Sequence, residues 1–337
     1  MSPSSRPRVL VTHWVHAPVL AYLQERCDVV ANTTPETWPR ERVLELASDC
    51  DAMMAFMPDA VSAGFLEHCP RLKVIAAALK GPDNFDIEAC TRRNVWFTLV
   101  PDLLTVPTAE LAVGLMLGIT RRVLEGDDYV RSGQFRGWRP ALYGAGLTNR
   151  TLGIIGMGAV GRTVVRRLGG FDMHFVYSDL HPAPTDDLPA KHMALQALLA
   201  ASDIVLPLTH LARETYHLIG AAAIARMKKG AYLINVGRGS LVDESAVAAA
   251  LAADHLAGYA ADVFEMEDWA LESRPRELPP ALLADRRRTL FTPHLGSAVD
   301  DVRLAIAMDA ARNIIEALDG HRPHGAVNEP ATAASTA

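Results

Sequence analysis

Short runs of consecutive apolar residues alternate with stretches in which apolar positions recur every three or four residues. This alternation runs through the first hundred residues and resumes at Leu152. The runs Val9–Thr12, Val29–Ala31, Ala52–Phe56, Val74–Ala78 and Val95–Val100 have the length and side chains of strands buried on both faces. Stretches between them, such as Glu41–Ala47, have helical spacing. A second series, Leu152–Ile155, Met173–Ser178, Ile204–Leu206, Tyr232–Val236, Gly258–Ala261 and Leu290–Thr292, predicts a sheet of six strands. Such repeated alternation predicts an α/β chain with two parallel sheets.

Between the two series, Thr105-Val-Pro-Thr opens a helical pattern through Leu111, Leu115, Met116 and Ile119, which predicts a connecting helix whose start can act as a hinge. Beyond Thr292 the pattern offers no further strand, only the helical segment Val302–Leu318, and the simplest packing for it is back on the first unit. The predicted organisation is therefore a first domain built from 1–104 and 296–327, a second from 105–295, and a disordered tail of small and polar residues over 328–337.

The most specific local signal is Gly156-Met-Gly-Ala-Val-Gly161, between the apolar run Leu152–Ile155 and a helical face of Val160, Val164, Val165 and Leu168. Strand, glycine turn and helix in that order suit a pyrophosphate held by backbone N–H groups at a helix N-terminus. Asp179 follows the next strand, where a carboxylate can bind both hydroxyls of an adenine ribose and repel a 2′-phosphate. Leu180-His-Pro-Ala, which comes next, has no Arg to accept that phosphate, so the expected cofactor is NAD. The second unit is then a Rossmann dinucleotide-binding domain.

Composition narrows the partners. The 337 residues are half hydrophobic and carry 33 basic against 39 acidic side chains, a net charge of −6. That balance argues against nucleic acid or an anionic membrane as the main partner. No apolar run approaches the roughly eighteen residues of a bilayer span, and no signal-peptide core follows Met1, so a cytoplasmic protein is expected. Cys27, Cys50, Cys69 and Cys90 are widely spaced without a C-x-x-C pair; they read as buried hydrophobes, and no metal is expected.

Three residues at predicted strand ends carry candidate chemistry. Arg238, in Asn-Val-Gly-Arg-Gly-Ser, places a guanidinium fork at the carboxyl edge of the sheet, where open α/β folds bind ligands. His294, in Thr-Pro-His-Leu-Gly-Ser, follows the last strand and can exchange a proton. Glu267, in Asp-Val-Phe-Glu-Met-Glu-Asp, can hold its tautomer, with Glu265 as the rival for that role.

These motifs are similar to those of the D-2-hydroxyacid dehydrogenase superfamily along nearly the whole chain. Within it, Ala-Met-Met-Ala-Phe-Met-Pro-Asp, Ala-Leu-Lys-Gly-x-Asp-Asn-Phe-Asp, Val-Pro-Asp-Leu-Leu-Thr-Val-Pro-Thr-Ala-Glu-Leu and Ala-Ala-Asp-Val-Phe-Glu-Met-Glu-Asp-Trp-Ala resemble the phosphite (phosphonate) dehydrogenases. The resemblance implies a flavodoxin-like, discontinuous substrate domain, a homodimer, and Arg238, Glu267 and His294 as the catalytic set. It further implies substrate contacts from Lys80, Gly81, Arg238 and His294. Cofactor contacts are implied for Thr108, Gly156, Gly158, Ala159, Val160, Gly161, Asp179, Leu208, Val236 and Asp262. The implied reaction is NAD-dependent oxidation of phosphite to phosphate, with Lys80 matching a doubly charged anion and Met57, Trp138 and Tyr143 as further wall candidates.

Two segments depart from that narrower pattern. Leu206-Pro-Leu-Thr carries its proline early, and Asn235-Val-Gly-Arg resembles the general superfamily rather than the Asn-Pro-Cys-Arg form of phosphite dehydrogenases. An ordinary 2-hydroxyacid dehydrogenase is therefore the alternative. An NAD-sensing, corepressor-like scaffold is a third reading, against which the retention of all three catalytic candidates argues.

Overall fold

The structure, a computed structural model, describes residues 6–100, 102–180, 187–268, 271 and 273–331. The chain divides into two compact units, residues 1–104 with 299–337 and residues 105–298. In the first unit the order is β1 (Arg8–Val11), α1 (Ala17–Gln24), β2 (Asp28–Ala31), α2 (Arg40–Ala47), β3 (Ala52–Ala55), α3 (Ala63–His68), β4 (Val74–Ala77), α4 (Ile87–Arg92) and β5 (Trp96–Thr98). The second contains α5 (Thr105–Thr120), α6 (Val123–Arg131), β6 (Thr151–Ile155), α7 (Ala159–Arg167), β7 (His174–Ser178), β8 (Ala190–His192), α8 (Leu195–Ala201), β9 (Ile204–Pro207), α9 (Ala221–Ile224), β10 (Ala231–Asn235), α10 (Glu244–Ala252), β11 (Leu256–Ala261), α11 (Pro280–Ala284) and β12 (Thr289–Phe291). The first unit is completed by α12 (Asp300–Leu318).

The first unit's sheet runs β2-β1-β3-β4-β5 with parallel pairing, the flavodoxin-like order. Its central strands β3 and β4 are buried at every residue, which is why they read as unbroken apolar runs rather than alternating ones. On one face α1 and α12 cover the sheet, with Ile306, Ala310 and Ile314 packed against Val9, Met54 and Ala76. On the other, Val43, Phe65, Leu66 and Cys90 close the core. Burial pushes the thiols of Cys50 and Cys69 up to about 11 and that of Cys90 to about 12, so these cysteines behave as small hydrophobes.

The second unit's sheet runs β12-β11-β10-β9-β6-β7-β8, also parallel. Among the described residues it has seven strands where six were expected. The addition, β8, is a three-residue edge strand with two exposed side chains, so no apolar pattern marked it. The order reverses between β6 and β9, and that switch point opens the crevice in which such sheets bind ligands. Among the described residues no helix is long and apolar enough to cross a membrane.

The expected tail start at Asn328 is corrected. The Asn328 side chain accepts from Phe97 N at 2.8 Å and donates to Val95 O at 2.9 Å and Thr91 Oγ1 at 3.0 Å, and Ala331 N donates to Asn94 Oδ1. Composition suggested disorder, but one buried amide with three partners anchors the segment; residues 332–337 lie outside the described residues. Leading into it, Ala326 bridges Thr98 in antiparallel sense at the β5 edge.

His324 braces the same segment: its Nδ1 lies 3.0 Å from Glu316 and its Nε2 3.0 Å from Asp309, both on α12. Hydrogen bonds to the two carboxylates raise its pKa against the opposing effect of partial burial. A raised histidine pKa stabilises the fold fully below its ordinary value of 6.5, and that contribution is lost as pH rises through the raised value. His324→Ala is therefore expected to lower the thermal midpoint more in mild acid than in mild alkali. Equal losses at both ends of a pH series of melting curves would show that the brace is uncharged.

Candidate active site

The β6–α7 turn needs its three glycines for different reasons. Gly156 has φ +97°, and a Cβ there would meet the Leu208–Thr209 backbone at 3.0 Å. Gly161 packs the helix on the strand, since a Cβ would lie 2.8 Å from Gly156 O. At Gly158, the α7 N-cap, no described atom lies within 4 Å of a Cβ position, so the turn leaves room for a group to approach the backbone. Ala159 and Val160 follow as the first helical residues. Asp179, directly after β7, accepts a hydrogen bond from Met157 N at 2.9 Å, which brings the carboxylate to the turn. Leu208 N donates to Ile155 O at 2.7 Å on the other side of the switch point. A turn with open backbone and an adjacent carboxylate fits the diphosphate and adenine ribose of NAD. Of the residues after Asp179 that were expected to lack an arginine, His181–Ala183 lie outside the described residues.

The catalytic candidates gather at the ends of β10, β11 and β12. Arg238 follows β10 and the buried Val236, and caps the short 3-10 helix Gly239–Leu241; the Asn235 amide donates to Arg238 O at 2.9 Å and fixes the turn. Glu267 ends the 3-10 helix Glu265–Glu267. One of its carboxylate oxygens accepts from Phe264 N at 2.9 Å and the other lies 2.6 Å from His294 Nδ1. An imidazole so held donates from Nδ1 and keeps Nε2 for proton exchange. Glu265 faces elsewhere, toward His217 Nε2 at 2.8 Å and Glu244 N at 3.0 Å, so it does not orient His294.

His294 has φ +56°, a left-handed conformation that costs about 1–3 kcal/mol away from glycine. Asp262 holds it there. That buried carboxylate accepts from Thr292 Oγ1 at 2.6 Å, Leu295 N at 2.7 Å and Gly296 N at 2.8 Å, while Asp262 O accepts from His294 N. Asp262, expected to touch the cofactor, also holds the loop that carries the imidazole through its two oxygens. Burial raises its pKa against these hydrogen bonds. Thr108, in the first turn of α5, reaches the same loop through Gly296 O at 3.3 Å. This supporting role was legible only as a juxtaposition: Asp262 and His294 follow neighbouring parallel strands.

Lys80 and Gly81 belong to the first unit, in the loop after β4. The Lys80 ammonium is part-exposed, 3.9 Å from Asp102. Met57 lies in the loop after β3, and Asn84 Nδ2 donates to Met57 O at 2.9 Å, joining the two loops. Trp138 and Tyr143 lie in the second unit on exposed chain after α6, 86% and 75% accessible. Among the described residues no cluster of His, Cys, Asp or Glu suits a metal ion.

Residues 113–296 match the family described as D-isomer specific 2-hydroxyacid dehydrogenase, NAD binding domain. Over 333 residues the chain is 38% identical to a glyoxylate reductase from Thermofilum pendens, covering 96% of this chain and 95% of that protein. This chain belongs to the D-isomer specific 2-hydroxyacid dehydrogenase family.

A glyoxylate reductase from Thermococcus litoralis is 34% identical, with 96% of this dehydrogenase and 97% of that protein covered. Among solved structures, the TT0316 protein from Thermus thermophilus superposes with a TM-score of 0.88 at 35% identity, over 95% of this chain and all of that one. An NADPH-dependent glyoxylate/hydroxypyruvate reductase from Sinorhizobium meliloti, solved with NADP and malonate, gives 0.81 at 26% identity over 98% of each chain. The superfamily resemblance thus stands, whereas the Thermofilum and Thermococcus relatives carry the name glyoxylate reductase and lend no support to the narrower resemblance to phosphite dehydrogenases.

The cofactor of this 2-hydroxyacid dehydrogenase is NAD, and Asp179, beside the glycine turn, is the candidate for its adenine ribose. Asp179→Ala is expected to raise the NADP/NAD ratio of specificity constants, because it removes a ribose acceptor and a source of phosphate repulsion together. Steady-state kinetics with both cofactors measure this; an unchanged ratio would remove Asp179 from the ribose site.

Proposed function

We propose that this dehydrogenase interconverts a small 2-oxo acid and its 2-hydroxy acid, with glyoxylate as the substrate of the reducing direction. The observation that carries this reading is the His294–Glu267 contact, 2.6 Å long, at the sheet edge that also holds Arg238 and the glycine turn. The names of the relatives support glyoxylate in particular. NAD, when bound, supplies the hydride acceptor or donor. His294 Nε2 gives a proton to the carbonyl oxygen during reduction and takes it from the hydroxyl during oxidation, while Glu267 balances the imidazolium charge. Arg238 offers two parallel donors to the substrate carboxylate. Gly156, Gly158, Gly161 and Asp179 hold the cofactor without entering the proton transfer.

Lys80 favours a second reading, oxidation of phosphite. A carboxylate needs little beyond Arg238 and backbone donors, and an ammonium in the loop after β4 suits a dianion. In that reaction His294 would take a proton from an attacking water as phosphorus gains the oxygen, and the hydride lost from phosphorus would go to the oxidised nicotinamide that NAD supplies when bound. A homodimer belongs to the same proposal. Val123, Leu124 and Val130 of α6, with Phe135 and Trp138 beyond it, present exposed apolar side chains suited to a second copy.

One assay decides between the substrates: NADH consumption with glyoxylate beside NADH formation from phosphite and D-lactate. The expected result is faster turnover of glyoxylate, with His294→Ala reducing it by about 10²–10⁴-fold while NAD binding is retained. Phosphite as the preferred substrate, with a strong loss in Lys80→Ala, would replace the first reading by the second. Parental turnover in His294→Ala would refute the base in both.

A further inference from the structure

Behind Arg238 and Glu267 lies a pair of acidic residues, Glu244 and Glu265. Glu244 opens α10 and Glu265 opens the 3-10 helix that ends at Glu267, and the two side chains cross. Glu244 N donates to Glu265 Oε1 and Glu265 N donates to Glu244 Oε1, each at 3.0 Å. The exchange ties the two 3-10 turns together, because Gly239–Leu241 leads into α10 and a Cβ on Gly239 would overlap the Phe264 backbone. Ser240 N adds a donor to Asp268 Oδ2 at 2.6 Å. The catalytic guanidinium and the imidazole's partner are therefore held at their spacing by Glu244, Glu265 and Asp268, none of which reaches His294.

The charge state of this frame follows from its surroundings. Glu244 is 1% exposed, and its Oε2 is buried with no hydrogen-bond partner. Glu265, Glu267 and Asp268 face it from the second 3-10 turn, and Glu265 in turn meets His217 at 2.8 Å; Asp243 caps its own helix. The buried Tyr259 of β11 lies beside the pair, Tyr216 stacks on His217, and Arg238 bears on Asp268. A carboxylate oxygen buried without a donor among three other acidic groups is strongly unfavourable.

We propose that Glu244 is a positioning residue that carries a proton in the working enzyme, and that the crossing of this neutral carboxyl with Glu265 sets the spacing of Arg238 and Glu267. Burial, with repulsion from Glu265, Glu267 and Asp268, raises the Glu244 pKa from 4.5 to about 7, against one hydrogen bond that lowers it. Loss of the proton sets two carboxylates against each other across the crossing and loosens the turn that carries Arg238. Substrate affinity then falls, while the glycine turn and Asp179, carried by β6 and β7, are unaffected. The effect on activity rests on the assignment of Arg238 and Glu267 given above; the protonation of Glu244 does not.

Glu244→Gln tests this, since glutamine is a neutral carboxyl isostere. In the parent, the KM for glyoxylate, or for phosphite if that is the substrate, is expected to rise about tenfold between about pH 6 and about pH 8 as the protonated fraction falls. That rise should be absent from Glu244→Gln, whose KM at the lower pH stays near the parent's and whose NAD affinity stays flat. The same alkaline rise in both proteins would overturn the proposal, as would a large KM defect in Glu244→Gln at the lower pH. An infrared titration is independent of turnover. A protonated carboxyl band that disappears near neutral pH in the parent and is missing from Glu244→Gln supports the assignment, since the buried Asp59, raised to about 6, contributes to both proteins; no such difference refutes it even if the substrate reading holds.

Discussion

A single buried carboxylate makes the rest of the active site possible. Asp262 draws the Thr292 hydroxyl and the Leu295 and Gly296 amides onto its two oxygens, and its own carbonyl accepts from His294 N. Hydrogen bonds to a charged group contribute about 1.5–3 kcal/mol each, enough together to offset the left-handed backbone of His294. With the loop so held, the imidazole reaches Glu267 from a neighbouring strand end. Parallel strands favour this arrangement, because they bring the ends of β10, β11 and β12 to one edge.

The acidic side chains near that edge do three different jobs, sorted by what each faces. Glu267 has an imidazole before it and holds its Nδ1. Asp262 faces backbone donors and holds a loop. Glu244 and Glu265 face each other and brace the turns between. Only the first faces His294, the imidazole proposed to exchange a proton.

Much of the fold could be read in the residue pattern, because β3, β4 and β6 are interior strands whose unbroken apolar runs have one structural outcome. The edge strand β8 escaped notice, since Ala190-Lys-His needs no apolar residue where one face is open to water. Asn328 misled in the opposite sense. Its polarity suggested a tail, yet buried backbone groups of Val95 and Phe97 needed a polar partner, and an amide supplies both donor and acceptor. In the site, the glycine turn and its neighbour Asp179 were legible because a strand, a turn, a helix and the next strand end fix their positions along the chain. The roles of Asp262 and Glu244 were not, for their partners lie more than twenty residues away and only pairing across the sheet reveals them. The choice between Glu265 and Glu267 was of the same kind, two residues apart in sequence and opposite in direction.

In the proposed chemistry His294 exchanges protons through Nε2 because Glu267 holds its Nδ1–H. Nitrogen-15 NMR of the His294 ring, in the parent and in Glu267→Gln, tests it most directly. Neutral His294 is expected to carry its proton on Nδ1 in the parent and to lose that preference in the variant. A proton resident on Nε2, or a tautomer indifferent to Glu267, would contradict the claim.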